Sequence, residues 1–288
     1  MRVCDSMLAL AGSVVYDHIV SMKFDLQMQS RDFTQPVYDF PGDQTIDDHT
    51  YRSCVTSGYI SSVSTLHGAA ESFNLDVDPE TFERWKRIGS AAGLLDDFLD
   101  ESPDIERASR IYDLFLDHAF ESVDSAVVPD WADDRLVPAV DLLTNSTVVL
   151  PEKQTASLLM AAKLIGQIAL SKASCTDLKQ YLDILRQEAS ASGKLVYDSA
   201  SNRVRAHTDF PAFEQWVDSA MWFGTLGDSA RDLRADERAG RVSVRATALN
   251  SLRIALRARQ PMRAMLSPAA NRSATIASLR ARRGFYST

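Results

Sequence analysis

Acidic residues stop at Glu237; from Arg238 onward every charged side chain is arginine, and lysine is absent. In a chain of 288 residues with a net charge of −8, that separates an acid-bearing body from a basic end. The negative total argues against nucleic acid as the main partner. Cysteine is scarce: Cys4, Cys54 and Cys175 lie far apart, with no CxxC and no Cys/His cluster. That excludes a disulfide framework and a cysteine-based zinc site, and it fits a reducing, cytoplasmic setting. No uninterrupted apolar run reaches about 18 residues, so no membrane-inserted helix is expected. Strand signals are also sparse, with little Val/Ile/Thr alternation and no Asn-Gly or Asp-Gly turn. The opening stretch MRVCDSMLALAGSVV has some character of a secretory leader. Asp5 interrupts it, however, and the apolar pattern continues at helical spacing into YDHIVSMKF, so it reads as an ordinary first helix.

What is present is helix. In DPETFERWKRIGSAAGLLDDFLDE, Asp78 is placed to cap, Pro79 to occupy the first helical position and Glu80 the first turn. Phe82, Trp85, Ile88, Ala92 and Leu95 then form one apolar stripe. Pro103 disfavours helix at Ser102 and ends the element. Comparable patterns predict helices over 51–74, 105–123, 136–148, 152–172, 176–198, 210–239 and 243–260, with linkers at 30–50, 124–135 and 199–209. TASLLMAAKLIGQIAL is apolar nearly all round, which predicts a buried central helix. The expected fold is all-α, a single antiparallel helical bundle over residues 1–288. Residues 1–50 supply an N-terminal helix and linker, and 51–288 the main body.

Carboxylates crowd the ends of two of these helices. Asp96 and Asp100 share a helical face, with Asp97 beside them, in the sequence DDFLD. Such a pair can grip a hard divalent cation through oxygen. Asp47-Asp48 and Asp133-Asp134 do not complete the same DDxxD pattern, because Tyr51 and Val137 stand at the fifth positions. In MWFGTLGDSARDLRADERAGRV, Asp228, Asp232 and Asp236 recur at i, i+4 and i+8 as a ladder, interleaved with Arg231, Arg234, Arg238 and Arg241. A solvated face of Asp–Arg pairs, each worth only a few tenths of a kcal/mol, is the plain alternative. Arg186 stands in YLDILRQEASASGKL, where Ser190, Ser192 and Gly193 weaken the helix.

Taken together, these residues resemble the class I terpene synthases of the isoprenoid synthase superfamily, bacterial type. The first motif matches DDxxD in full. The second places Asp at all three ligand positions of a pattern that usually reads N/D-D-x-x-S/T-x-x-x-E. The two motifs stand 228 − 96 = 132 residues apart, and Arg186 lies 228 − 186 = 42 residues before the second. The C-terminal RRGFY is similar to the Arg-Tyr pair of bacterial members. The resemblance covers the chain from about residue 50 to its end. It implies an isoprenoid synthase fold around a central active-site cavity, and three Mg²⁺ ions, with Mn²⁺ as a substitute. Asp96, Asp97, Asp100, Asp228, Asp232 and Asp236 would hold the ions, and Arg186 would sense the substrate diphosphate. Arg283 and Tyr286 would close over it, with Arg231 adding a charge-assisted bond.

The implied reaction is ionisation of an allylic prenyl diphosphate (FPP or GGPP) and cyclisation of the carbocation to a terpene hydrocarbon or alcohol. Such a cation needs a dry, π-rich pocket, for which Phe98, Tyr59, Trp222 and Phe223 are the candidate walls, with Trp216 and Tyr197 further aromatics of the same kind. Many relatives of this kind form homodimers. Two alternatives stay open. RDLRADERAGR is also similar to the RDxxxDxxxGR of squalene and phytoene synthases, so prenyl transfer within the same fold is one. A helical binding or scaffold module with solvated acids and a basic tail is the other. The Arg-Arg-Gly that follows the first motif in chain-elongating synthases is absent, which disfavours that branch.

Overall fold

A computed structural model describes residues 59–102, 104–121 and 136–266. Helix accounts for most of these residues, and no strand occurs among them. In chain order the helices are α1 Tyr59–Ser72, α2 Pro79–Glu101, α3 Ile105–Glu121, α4 Leu136–Thr147, α5 Glu152–Ser174 and α6 Leu178–Tyr197. The short α7 Asn202–Arg205 follows, then α8 Phe210–Ala239, α9 Ala248–Arg257 and α10 Arg259–Leu266.

Local chemistry explains several of these limits. Asp78 caps α2, its carboxylate accepting from the Thr81 N–H at 2.7 Å, with Pro79 in the first turn. The same carboxylate accepts from the Ser201 hydroxyl, while Ser201 N–H donates to Thr81 Oγ1 at 3.0 Å. One helix start is thus tied to a turn 120 residues later. Burial pushes the Asp78 carboxyl up, but these hydrogen bonds outweigh it and hold it below the ordinary value. At the far end Ser102 is extended, with ψ 128°, as a residue before proline should be.

The helices pack as a closed cycle. α1 lies on α2, α2 on α4, α4 on α3, α3 on α5, α5 on α6, α6 on α8, and α8 returns to α1; α2 and α6 also touch directly. Three apolar clusters fill it. Leu94, Phe98, Tyr112, Leu142 and Leu158 join α2 through α5. Trp85, Phe73, Phe213 and Trp216 join α1, α2 and α8, where the Trp85 indole also donates to Val196 O at 2.9 Å. Tyr181, Leu185, Trp222, Leu226, Leu233 and Ile254 join α6, α8 and α9.

Three expectations are revised. The helix predicted over 243–260 is not continuous. Residues 241–247 lie outside helix, and Val242 and Val244 enter the core in alternation. Thr247 then caps α9 by accepting from Asn250 N–H at 3.1 Å. Pro261 has no N–H to give and would crowd the carbonyl of Arg257, so the chain breaks at Ala258 and restarts as α10. The linker at 199–209 contains α7, capped by Ser201. α5 is not buried all round. Leu158, Ala161, Ala162, Gly166 and Ile168 face the interior, while Met160 is exposed. By length and composition alone α5 could also cross a bilayer, although it packs on α3 and α6.

The α3–α5 contact is close because Gly166 has no side chain. A Cβ there would stand 2.7 Å from Cδ1 of Tyr112, whose hydroxyl is held by Ala162 O at 2.8 Å. The ring cannot swing aside without giving up that bond. Gly166→Ala is therefore expected to destabilise the fold by about 1–3 kcal/mol, read as a lower midpoint in urea unfolding with an unchanged slope.

Candidate acidic site between two helix ends

Both acid motifs run out of apolar stripes onto helix ends, and the packing brings those ends together. Arg241 is the link. Its guanidinium lies 3.1 Å from Asp100 Oδ2 at the end of α2 and 2.8 Å from Asp236 Oδ1 in the last turn of α8. It also donates to the Asp100 carbonyl at 3.4 Å. The local chain geometry aims it there. Gly240 closes α8 in the left-handed region at φ 74°, and Arg241 N–H returns to Asp236 O at 2.9 Å. Glycine is favoured at such a cap because it has no Cβ to clash. The next residues are stitched to the end of α5, with Ser243 N–H donating to Lys172 O at 3.4 Å.

Lys172 is the second cation in the gap. Its ammonium pairs with Glu188 of α6. Burial alone would lower its pKa, but the Glu188 charge and hydrogen bond outweigh burial and raise it. Asp96, Asp100 and Asp236 all lie within its electrostatic reach. Burial pushes Asp100 and Asp236 above the ordinary aspartate value. Arg241 and Lys172 oppose that shift, while neighbouring carboxylates add to it: Asp97 and Glu188 at Asp100, and Asp100 and Asp232 at Asp236. Tyr181, buried beneath, is also raised by burial, against Lys172 and a hydrogen bond with Ser229.

The ladder on α8 does not present all three carboxylates equally. Each four-residue step overshoots a full turn by about 40°, so i, i+4 and i+8 drift around the helix. The side chains are 68%, 41% and 21% exposed at Asp228, Asp232 and Asp236. Asp236 faces Asp100. Asp228 and Asp232 lie further out and share Arg231, which forks onto Asp232 at 2.6 and 2.9 Å and reaches Asp228 at 3.4 Å. On α2, Asp96 and Asp97 are half-buried. Among the described residues no three Asp, Glu, His or Cys side chains converge closely enough to form an ion site.

Arg186 is placed elsewhere. It stacks on the Trp222 ring, 3.9 Å from the centroid, and its charge acts on Asp218. Two residues on, Glu188 points to the acid gap, as expected for side chains about 200° apart on a helix. Phe98, Trp222 and Phe223 are buried in apolar clusters. The Tyr59 side chain, Arg283 and Tyr286 lie outside the described residues. Two open concavities among the described residues lie between α5 and α6 and beside α9 and α10, and neither is lined by a motif carboxylate.

Sequence reasoning passed over Lys172, Tyr181, Glu188 and Arg241 as site residues. Two signals were readable. Tyr181, Leu185 and Glu188 follow i, i+4, i+7 spacing and share a face, and Arg241 follows a glycine at the end of the ladder. Nothing local marks Lys172.

Comparison of the chain with protein families, curated proteins and solved structures finds no match.

A pH signature follows from the raised Asp236. The folded protein holds that proton to higher pH than the unfolded chain does. Stability therefore falls as pH rises from the ordinary value of 3.8 through the folded pKa, and the deficit persists above it. Asp236→Asn is expected to raise Tm at pH 7, with the gain closing below pH 3.8. Arg241→Ala is expected to lower Tm at pH 7, because it leaves the partly buried Asp236 facing Asp100 without the guanidinium between them. Thermal melts across pH check both.

Proposed function

We propose that this chain is a Mg²⁺-dependent class I terpene synthase. It ionises an allylic prenyl diphosphate, cyclises the carbocation and releases diphosphate. The reading rests chiefly on the meeting of Asp100 and Asp236, 236 − 100 = 136 residues apart, around shared positive charge at the ends of two helices. The donors are carboxylate oxygens, the type a hard divalent ion takes, so their chemistry suits Mg²⁺, and holding it requires them to draw closer than they stand. Asp96, Asp97 and Asp100 from one side, and Asp228, Asp232 and Asp236 from the other, would hold it. When bound, the metal supplies charge neutralisation of the leaving diphosphate without proton transfer.

The chain's own residues do the rest. Arg241 and Lys172 already stand in the gap. They give charge-assisted hydrogen bonds to diphosphate oxygens once the carboxylates turn to cations. Arg231 stands beside the outer rungs of the ladder, while Arg186, stacked on Trp222, has no part in the gap as it stands. Phe98 follows Asp97 in the chain, and Trp222 and Phe223 precede the ladder by one to two turns; buried in apolar clusters, they are the π-rich side chains that would shield a carbocation. Tyr112 is kept neutral by burial, and its hydroxyl is engaged by Ala162 O.

One observation also favours a second reading, prenyl transfer of the squalene and phytoene synthase type. Arg241, which bridges the two helix ends, is the closing arginine of RDLRADERAGR.

The test is incubation of purified protein with Mg²⁺ and, separately, C10, C15 and C20 allylic diphosphates, with gas chromatography and mass detection of organic extracts. A cyclic hydrocarbon or alcohol, lost in Asp96→Ala and Asp232→Ala, is the expected result. A C30 or C40 product, or a longer prenyl diphosphate, moves the assignment to prenyl transfer. No turnover, with no rise in Tm from Mg²⁺ and pyrophosphate together, leaves a helical scaffold with solvated acids.

A further inference from the structure

The two arginine-bearing helices that follow the ladder present a surface unrelated to the acid gap. α9 buries Ile254 and the following Ala258 against α8. Its opposite stripe carries Leu249, Arg253 and Leu256, spaced i, i+4 and i+7, all exposed. α10 continues it with exposed Arg259, Gln260, Arg263 and Leu266. Leu256, Arg257, Arg259, Gln260 and Arg263 line one open concavity. None of Arg253, Arg257, Arg259 and Arg263 forms an ion pair among the described residues, and no acid stands on either helix. On a chain of net charge −8 this is a concentrated positive face, and it turns outward.

We propose that the outer face of α9 and α10 docks the protein on an anionic lipid surface. Charge complementarity selects the partner, and the interleaved leucines decide its class. A small phosphate ligand has no use for Leu249, Leu256 and Leu266. Single-stranded nucleic acid is gripped by aromatic side chains, and neither helix has one. Short amphipathic helices with arginine and leucine on the exposed side suit the boundary between headgroups and acyl chains. The acid-bearing body would be repelled by the same surface, which orients the molecule with this face inward.

The experiment is sedimentation of the full chain with vesicles of phosphatidylcholine, either alone or with about one-third phosphatidylglycerol. The expected result is binding to the anionic vesicles only, weakening with added salt. Each arginine near an anionic surface strengthens binding about fivefold, so the triple variant Arg253→Glu, Arg259→Glu, Arg263→Glu should bind at least about a hundredfold more weakly. Leu249→Ser with Leu256→Ser should also weaken binding at unchanged charge. Circular dichroism and Tm verify that each variant is folded. Four results would overturn the proposal. They are wild-type binding by the triple variant, equal binding to neutral vesicles, an unaffected serine pair with competition by inorganic pyrophosphate, or capture of an oligonucleotide in preference to vesicles. Catalytic activity does not enter any of these readouts, so the outcome is independent of the proposed synthase chemistry.

Discussion

Carboxylates at the ends of two packed helices repel, and burial makes that repulsion worse. Asp100 and Asp236 can face each other only because positive charge lies between them, and Arg241 supplies it directly. The rest of the region is arranged around that contact. Gly240 turns the chain back at the end of α8, and Arg241 follows it into the gap. Ser243 fastens the returning segment to the end of α5, so that Lys172 stands on the other side. Glu188 in turn holds the Lys172 ammonium.

The arrangement is electrostatically costly. Asp100 and Asp236 stay above the ordinary aspartate range despite two neighbouring cations, because desolvation outweighs attraction. The three apolar clusters supply the rigidity that keeps these acids together. The tie from Asp78 and Thr81 to Ser201, and from the Trp85 indole to Val196, fixes the opposite end of the cycle.

Much of the fold was legible locally. Asp78, Pro79 and Pro103 marked both limits of α2, because caps and proline act over three or four residues. The ladder on α8 and the DDFLD of α2 were equally plain, since a helix turns any i, i+4 spacing into a shared face. The non-helical passage at 241–247 was harder. Its Val-Ser-Val alternation is only three residues long, and its course depends on Val242 and Val244 finding the core. The one-sided burial of α5 was hidden by an apolar composition that looks the same on every face.

The sequence by itself determined most of the helices up to the end of the ladder, the apolar stripes, the two acid-bearing ends and the basic end after Glu237, because each depends on near neighbours along the chain. Only the tertiary structure decided which acids meet, that Asp236 and not Asp228 faces the first motif, and that Arg186 turns to Trp222 while Glu188 turns to Lys172. Those outcomes follow from how helices rotate and cross when their cores pack. A four-residue ladder that drifts about 40° per step cannot say which of its rungs will face a partner more than a hundred residues away.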